Sequence, residues 1–158
     1  MDAMDPLIEW ELMLRSFGKL LIAYLLSLPI AWEREQKTRS AGLRTFPLVA
    51  VACCGYTLLA QMVFADSSEA QARVVEGLIT GMGFIGGGAI LKTQATVHGT
   101  ATAASLWNTG AMGTAAGLGH YEIAIVLSVV NFLTLRLLTP LKRRTPGEAT
   151  AEEEAGEA

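Results

Sequence analysis

The 158 residues leave room for one domain, and at 51% hydrophobic against 17% charged they are too apolar for a soluble protein of that size. The formal net charge of -3 rests on the C-terminal end, because five of the fifteen acids (Glu148, Glu152, Glu153, Glu154 and Glu157) fall in the last eleven residues. These bounds point to a small integral membrane protein whose first partner is the lipid bilayer, with no nucleic acid among its partners; the adjacent Cys53 and Cys54 lie in an apolar run, where chain neighbours rarely close a disulfide.

Residues 1–11 mix apolar side chains with acids and form an interfacial segment; acids where a signal peptide needs bases argue against cleavage. Residues 12–141 form the transmembrane domain. Its first span is apolar from Leu20 to Trp32 and reaches a spanning length by running back to Leu12, past Arg15 and Lys19, which snorkel. The charged loop Glu33 to Arg44 follows. Phe46 to Phe64 is the cleanest span, with Pro47 in its first turn, where a missing N–H costs nothing.

A third span runs from about Val74 to Leu91 and is free of charge from Gly77 onward. It carries glycine at 77, 81, 83, 86, 87 and 88, although each interior glycine costs a helix about 1 kcal/mol relative to alanine. The pairs Gly77/Gly81 and Gly83/Gly87 have the small-xxx-small spacing that admits a neighbouring helix. With Phe84 and Trp107 these glycines form the expected packing motif, and this span is expected at the centre of the bundle. A leucine at Gly83 or Gly87 is then expected to push two helices apart.

Gly99 to Gly119 is rich in threonine, alanine and glycine and carries Asn108, a composition that suits burial against the third span; Gly113/Gly117 repeats the close-packing spacing. Ile123 to Leu138 is apolar apart from Asn131 and Arg136. Residues 142–158 begin basic, end acidic and lack apolar periodicity, so a disordered cytoplasmic tail is expected.

The fold class is therefore all-α integral membrane, with about five transmembrane helices packed through glycine and small-residue faces. With five spans, nine lysines and arginines lie on one side and three on the other, which sets the N-terminus out and the C-terminus in. A four-span alternative folds Gly99 to Gly119 back as a re-entrant hairpin.

Three blocks, in order, resemble the MgtC/SapB family of bacterial inner-membrane proteins. They are Glu33-Arg34-Glu35 with Ala41-Gly42-Leu43-Arg44-Thr45, then Gly81 to Gly88, then Thr102-Ala103-Ala104-Ser105-Leu106-Trp107. The likeness is to the short, SapB-like form, without the C-terminal ACT-like domain of longer members. Ala31, Gly77 and His98 stand where other residues are common in the family. The resemblance implies a role in growth at low magnesium and, in some members, restraint of the F-type ATP synthase.

The Gly81, Gly83, Gly86 pattern matches a dinucleotide fingerprint, but no strand precedes it, and close helix packing is the simpler account. Glu76 is the one acid inside an apolar span and is a functional candidate for that reason, although Arg73, one turn earlier, is an available ion-pair partner. Glu33, Arg34, Glu35 and Arg44 read either as a structural clamp, the carboxylates pairing with Arg44, or as a binding site. Asn108 reads as an interhelical hydrogen-bond partner. No residue set has zinc spacing or a nucleophile's neighbours, so no metal, cofactor or enzymatic activity is expected. Two function classes remain. One is a regulator that supports magnesium homeostasis by docking another membrane complex, the F-type ATP synthase by family resemblance. The other is a small carrier or channel for a cation or organic solute, working as a homo-oligomer along a polar path between the third and fourth spans.

Overall fold

The computed structural model describes residues 6–36, 41–92 and 97–142. Among these residues the chain is five helices and one short hairpin: α1 (Pro6–Glu35), α2 (Thr45–Val63), α3 (Ser68–Gly88), β1 (Leu91–Lys92), β2 (Val97–His98), α4 (Thr100–Leu118) and α5 (Tyr121–Lys142). The two strands pair antiparallel, Leu91 opposite His98 and Lys92 opposite Val97. Three stretches, Trp10–Glu35, Thr45–Val63 and Tyr121–Leu138, are long and apolar enough to cross a membrane by length and composition. The tail expected from residue 142 falls, after Lys142, outside the described residues.

Local sequence explains the helix limits. Ser67 caps α3 by accepting from the Ala70 N–H at 3.2 Å, satisfying a donor that the first turn cannot. Gly119, at φ +87°, ends α4 in a Schellman turn: its N–H reaches the Ala116 carbonyl and the His120 N–H reaches that of Ala115. α1 begins at Pro6, so the interfacial segment joins the first span without a break.

The centre of the bundle is α4, which corrects the expectation that α3 would occupy it. α4 packs against α1, α2, α3 and α5, and it buries eleven residues spread around its circumference. α3 buries only Met82 and Gly86. A helix of alanine, glycine and threonine can be approached closely from several sides, and here it is. A Cβ at Gly113 would strike the Ala50 carbonyl oxygen of α2, one at Gly117 would lie 2.7 Å from Thr57 Cβ, and one at Gly110 would lie 2.8 Å from Met82 Cγ of α3.

The glycines of α3 do the opposite. A Cβ at Gly77, Gly81, Gly83, Gly87 or Gly88 would meet nothing within 4 Å, and Phe84 is 86% exposed. Only Gly86 packs inside the chain, on Ala103. The expected intrachain packing motif is therefore confined to Gly86, while the other glycines and Phe84 lie on the outward face. The helices around α4 follow the order α3, α2, α1, α5, and no comparable interface closes the ring between α5 and α3.

Candidate functional site

Helix α1 grips α4 at both ends. At the C-terminal end of α1, the buried Arg34 donates through Nη2 to Thr102 Oγ1 in the first turn of α4. Fifteen residues back on α1, Lys19 Nζ donates at 2.8 Å to the carbonyl of Gly117, fifteen residues on from Thr102. Equal spacing on two antiparallel helices, about 22 Å on each, fixes their register at two points. Lys19 thereby satisfies one of the carbonyls that the end of α4 leaves open. The Arg34 charge sits beside a helix N-terminus, which alone disfavours a cation; Glu33, also buried and next in sequence, supplies the compensating charge.

Glu35 closes the loop that follows. Its Oε2 accepts from the Leu43 backbone N–H at 2.9 Å, so the carboxylate holds the turn of Ala41, Gly42 and Leu43 against the end of α1. A Cβ at Gly42 would run into that same Oε2, so glycine leaves the carboxylate its place. The clamp is real, but Arg44 is exposed and joins no carboxylate ion pair among the described residues. Glu35 meets the turn backbone and Arg34 meets Thr102, a correction to the expected pairing of the carboxylates with Arg44.

A set of polar side chains in the core lies between α4, α5 and α1. Asn108 Nδ2 donates to the Leu127 carbonyl of α5 at 3.1 Å, and Asn131 Nδ2 of α5 donates back to the Ser105 carbonyl of α4 at 3.2 Å. Ser128 Oγ adds a bond to the Leu26 carbonyl of α1 at 2.6 Å. Such side-chain-to-backbone bonds tie helices together where water is scarce. Ser105, Asn108, Asn131 and Thr134 also line a cavity of about 220 Å³ between α4 and α5. The expected polar path between the third and fourth spans is corrected by the facing surfaces, which there are Met82 and Leu78 of α3 against Gly110 and Trp107 of α4.

Glu76 is exposed on α3, and Arg73 pairs not with it but with Glu69, at 2.8 Å. Its carboxylate lies on the same outward side as Gly77, Thr80 and Gly81. Trp107 is 52% exposed, where α4 reaches the outside between α3 and α5. Among the described residues no group of three or more histidine, cysteine or acidic side chains is placed to hold a metal ion. His98 and His120 stand at opposite ends of α4, and Cys53 and Cys54 are free and buried.

The family model described as MgtC family matches residues 20–144, from the second half of α1 through the end of α5. The chain belongs to the MgtC family. MgtC of Brucella abortus is 37% identical over 132 residues, which are 84% of this chain and 55% of that protein. YhiD of Escherichia coli, whose name proposes a magnesium transporter, is 33% identical over 132 residues, covering 80% of this chain and 61% of YhiD. SrpB of Synechococcus elongatus is 34% identical over 137 residues, 79% of this chain and 75% of SrpB. The chain thus spans little more than half the length of the MgtC and YhiD relatives. No solved structure matches it with significance.

As an MgtC-family membrane protein, the chain holds its motif blocks in two places. Arg34, Glu35, Gly42 and Thr102 meet at the clamp, while the glycines of the α3 block other than Gly86 lie on its outer face. Sequence reasoning missed Lys19, Thr102, Ser128 and Asn131 as structural partners. The matched fifteen-residue spacings on α1 and α4 were the available signal for the first two, and a polar residue in the apolar run of α5 was the signal for Asn131.

Proposed function

We propose that this chain is a multi-pass regulator in the bacterial inner membrane that supports adaptation to low magnesium by docking other membrane complexes through the outward face of α3. The observation that carries this reading is that face itself: five glycines with open space over them, a Phe84 side chain 86% exposed, and the Glu76 carboxylate beside them. Lipid gains nothing from glycine notches, whereas a foreign helix gains van der Waals contact from each. A carboxylate inside a membrane needs a polar partner, and the chain supplies none to Glu76 among the described residues. The F-type ATP synthase is the docking partner that family resemblance suggests. In this reading all five helices cross, with the N-terminus out and the C-terminus in, following the nine-to-three division of basic residues.

A carrier for a cation or small solute is the second reading. The cavity lined by Ser105, Asn108, Asn131 and Thr134 favours it, as does the name of the E. coli relative. Magnesium flux into proteoliposomes of the purified protein separates the two. The docking reading expects uptake no faster than in protein-free vesicles, and saturable uptake abolished by Glu76→Gln or Asn131→Leu would replace it with the carrier.

A further inference from the structure

The ring of helices around α4 is open on one side, and what the opening exposes is a shaped slot. Trp107, Ala111, Thr114 and Leu118 of α4 follow one another at helical spacing along its floor, with Leu78 and Ile79 of α3 on one wall and Ile123 of α5 on the other. Its volume is about 250 Å³. From Trp107 to Leu118 the floor is roughly 16 Å long, about half the ~30 Å hydrocarbon core of a bilayer. The lining is apolar along its length, and the polar end is where α4 stops: His120, exposed, with Nδ1 3.2 Å from Glu122 Oε1.

We propose that this slot is a specific site for one phospholipid acyl chain, from the leaflet on the side where α4 ends. An apolar channel one leaflet long with a polar mouth is the outline of an acyl chain under its headgroup. The slot has walls on both sides, Leu78 and Ile79 against Ile123, and its apolar floor ends at one polar mouth, a shape suited to a single flexible chain. The neighbouring α3 face, by contrast, is open and unwalled. A chain in the slot joins α3 to α5, closing the ring around α4 where those two helices share no substantial interface.

The test uses the tryptophans. Trp10 and Trp32 are exposed on α1, away from the slot, so the Trp10→Phe/Trp32→Phe protein reports on Trp107 alone, and the Trp10→Phe/Trp107→Phe protein reports on Trp32 as ordinary lipid-facing surface. Phosphatidylcholine with brominated acyl chains is titrated into each in digitonin micelles. The proposal expects saturable loss of Trp107 emission at about one lipid per chain, weak and unsaturated loss at Trp32, and one phospholipid retained on the wild-type protein in native mass spectrometry. Ala111→Phe, which fills the slot, abolishes the retained lipid while circular dichroism stays helical. Equal responses from Trp107 and Trp32 would make the slot ordinary lipid-facing surface and overturn the proposal. An unquenched Trp107 beside a quenched Trp32 would mean that protein covers it, and would overturn the proposal equally. Both readouts on the unfilled slot decide the matter even if Ala111→Phe fails to fold.

Discussion

Arg34 of α1 donates a hydrogen bond to Thr102 of α4 across 68 positions of sequence, both residues buried. This contact fixes where the central helix begins relative to the first. Removing Arg34 takes away the charged donor on the buried Thr102 hydroxyl, a loss of about 1–3 kcal/mol. Arg34→Ala is expected to lower the melting temperature sharply, Thr102→Val to cost about 1–3 kcal/mol, and Arg34→Lys to rescue only in part, since lysine keeps the charge but not the fork. Melting curves in detergent measure all three.

Glu35 and Gly42 form a second coupled pair. Gly42→Ala is expected to displace the Glu35 carboxylate from the Leu43 N–H and to cost about 1–3 kcal/mol. In a Glu35→Ala background the same change is expected to cost much less, because the clashing oxygen is gone. A double-mutant cycle by thermal unfolding reads the coupling.

The two glycine sets respond differently to added side chains. Gly113→Ala and Gly117→Ala must push α2 off α4, an overpacking cost of about 1–3 kcal/mol or more. At Gly83 and Gly87 a Cβ meets nothing within 4 Å, and Gly83→Leu and Gly87→Leu are expected to melt with the wild type. This reverses what the small-xxx-small spacing alone implies, and unfolding of Gly83→Leu would restore the sequence expectation.

Reporter fusions or cysteine accessibility are expected to place residues 38 and 145 in the cytoplasm and residues 68 and 120 outside. Residue 145 found outside would favour the re-entrant alternative for Gly99 to Gly119.

The helices were legible because apolar runs and their breaks set them: Phe46 to Phe64 was expected where α2 runs Thr45–Val63, and Gly99 to Gly119 where α4 runs Thr100–Leu118. Which helix stands at the centre was not. Glycine tells that a neighbour can come close, but not whether that neighbour belongs to the same chain, and five of the α3 glycines face away from the bundle. The composition of α4, small and polar all round, was the better sign, because a helix with no lipid-suited face must be covered on most sides. At the clamp, Glu33, Arg34 and Glu35 were legible as candidates, but the contact of Glu35 with the turn at Gly42 was not. Arg44 misled, since a cation at the start of the next helix is the obvious partner for a carboxylate until the turn backbone proves nearer.

Growth of a deletion strain at low magnesium, complemented by Gly83→Leu, tests the docking reading most directly. The account predicts that this variant accumulates in the membrane and melts like the wild type, yet fails to restore growth, because leucine fills the notch a partner helix needs. Full restoration of growth by a stably folded Gly83→Leu would contradict it.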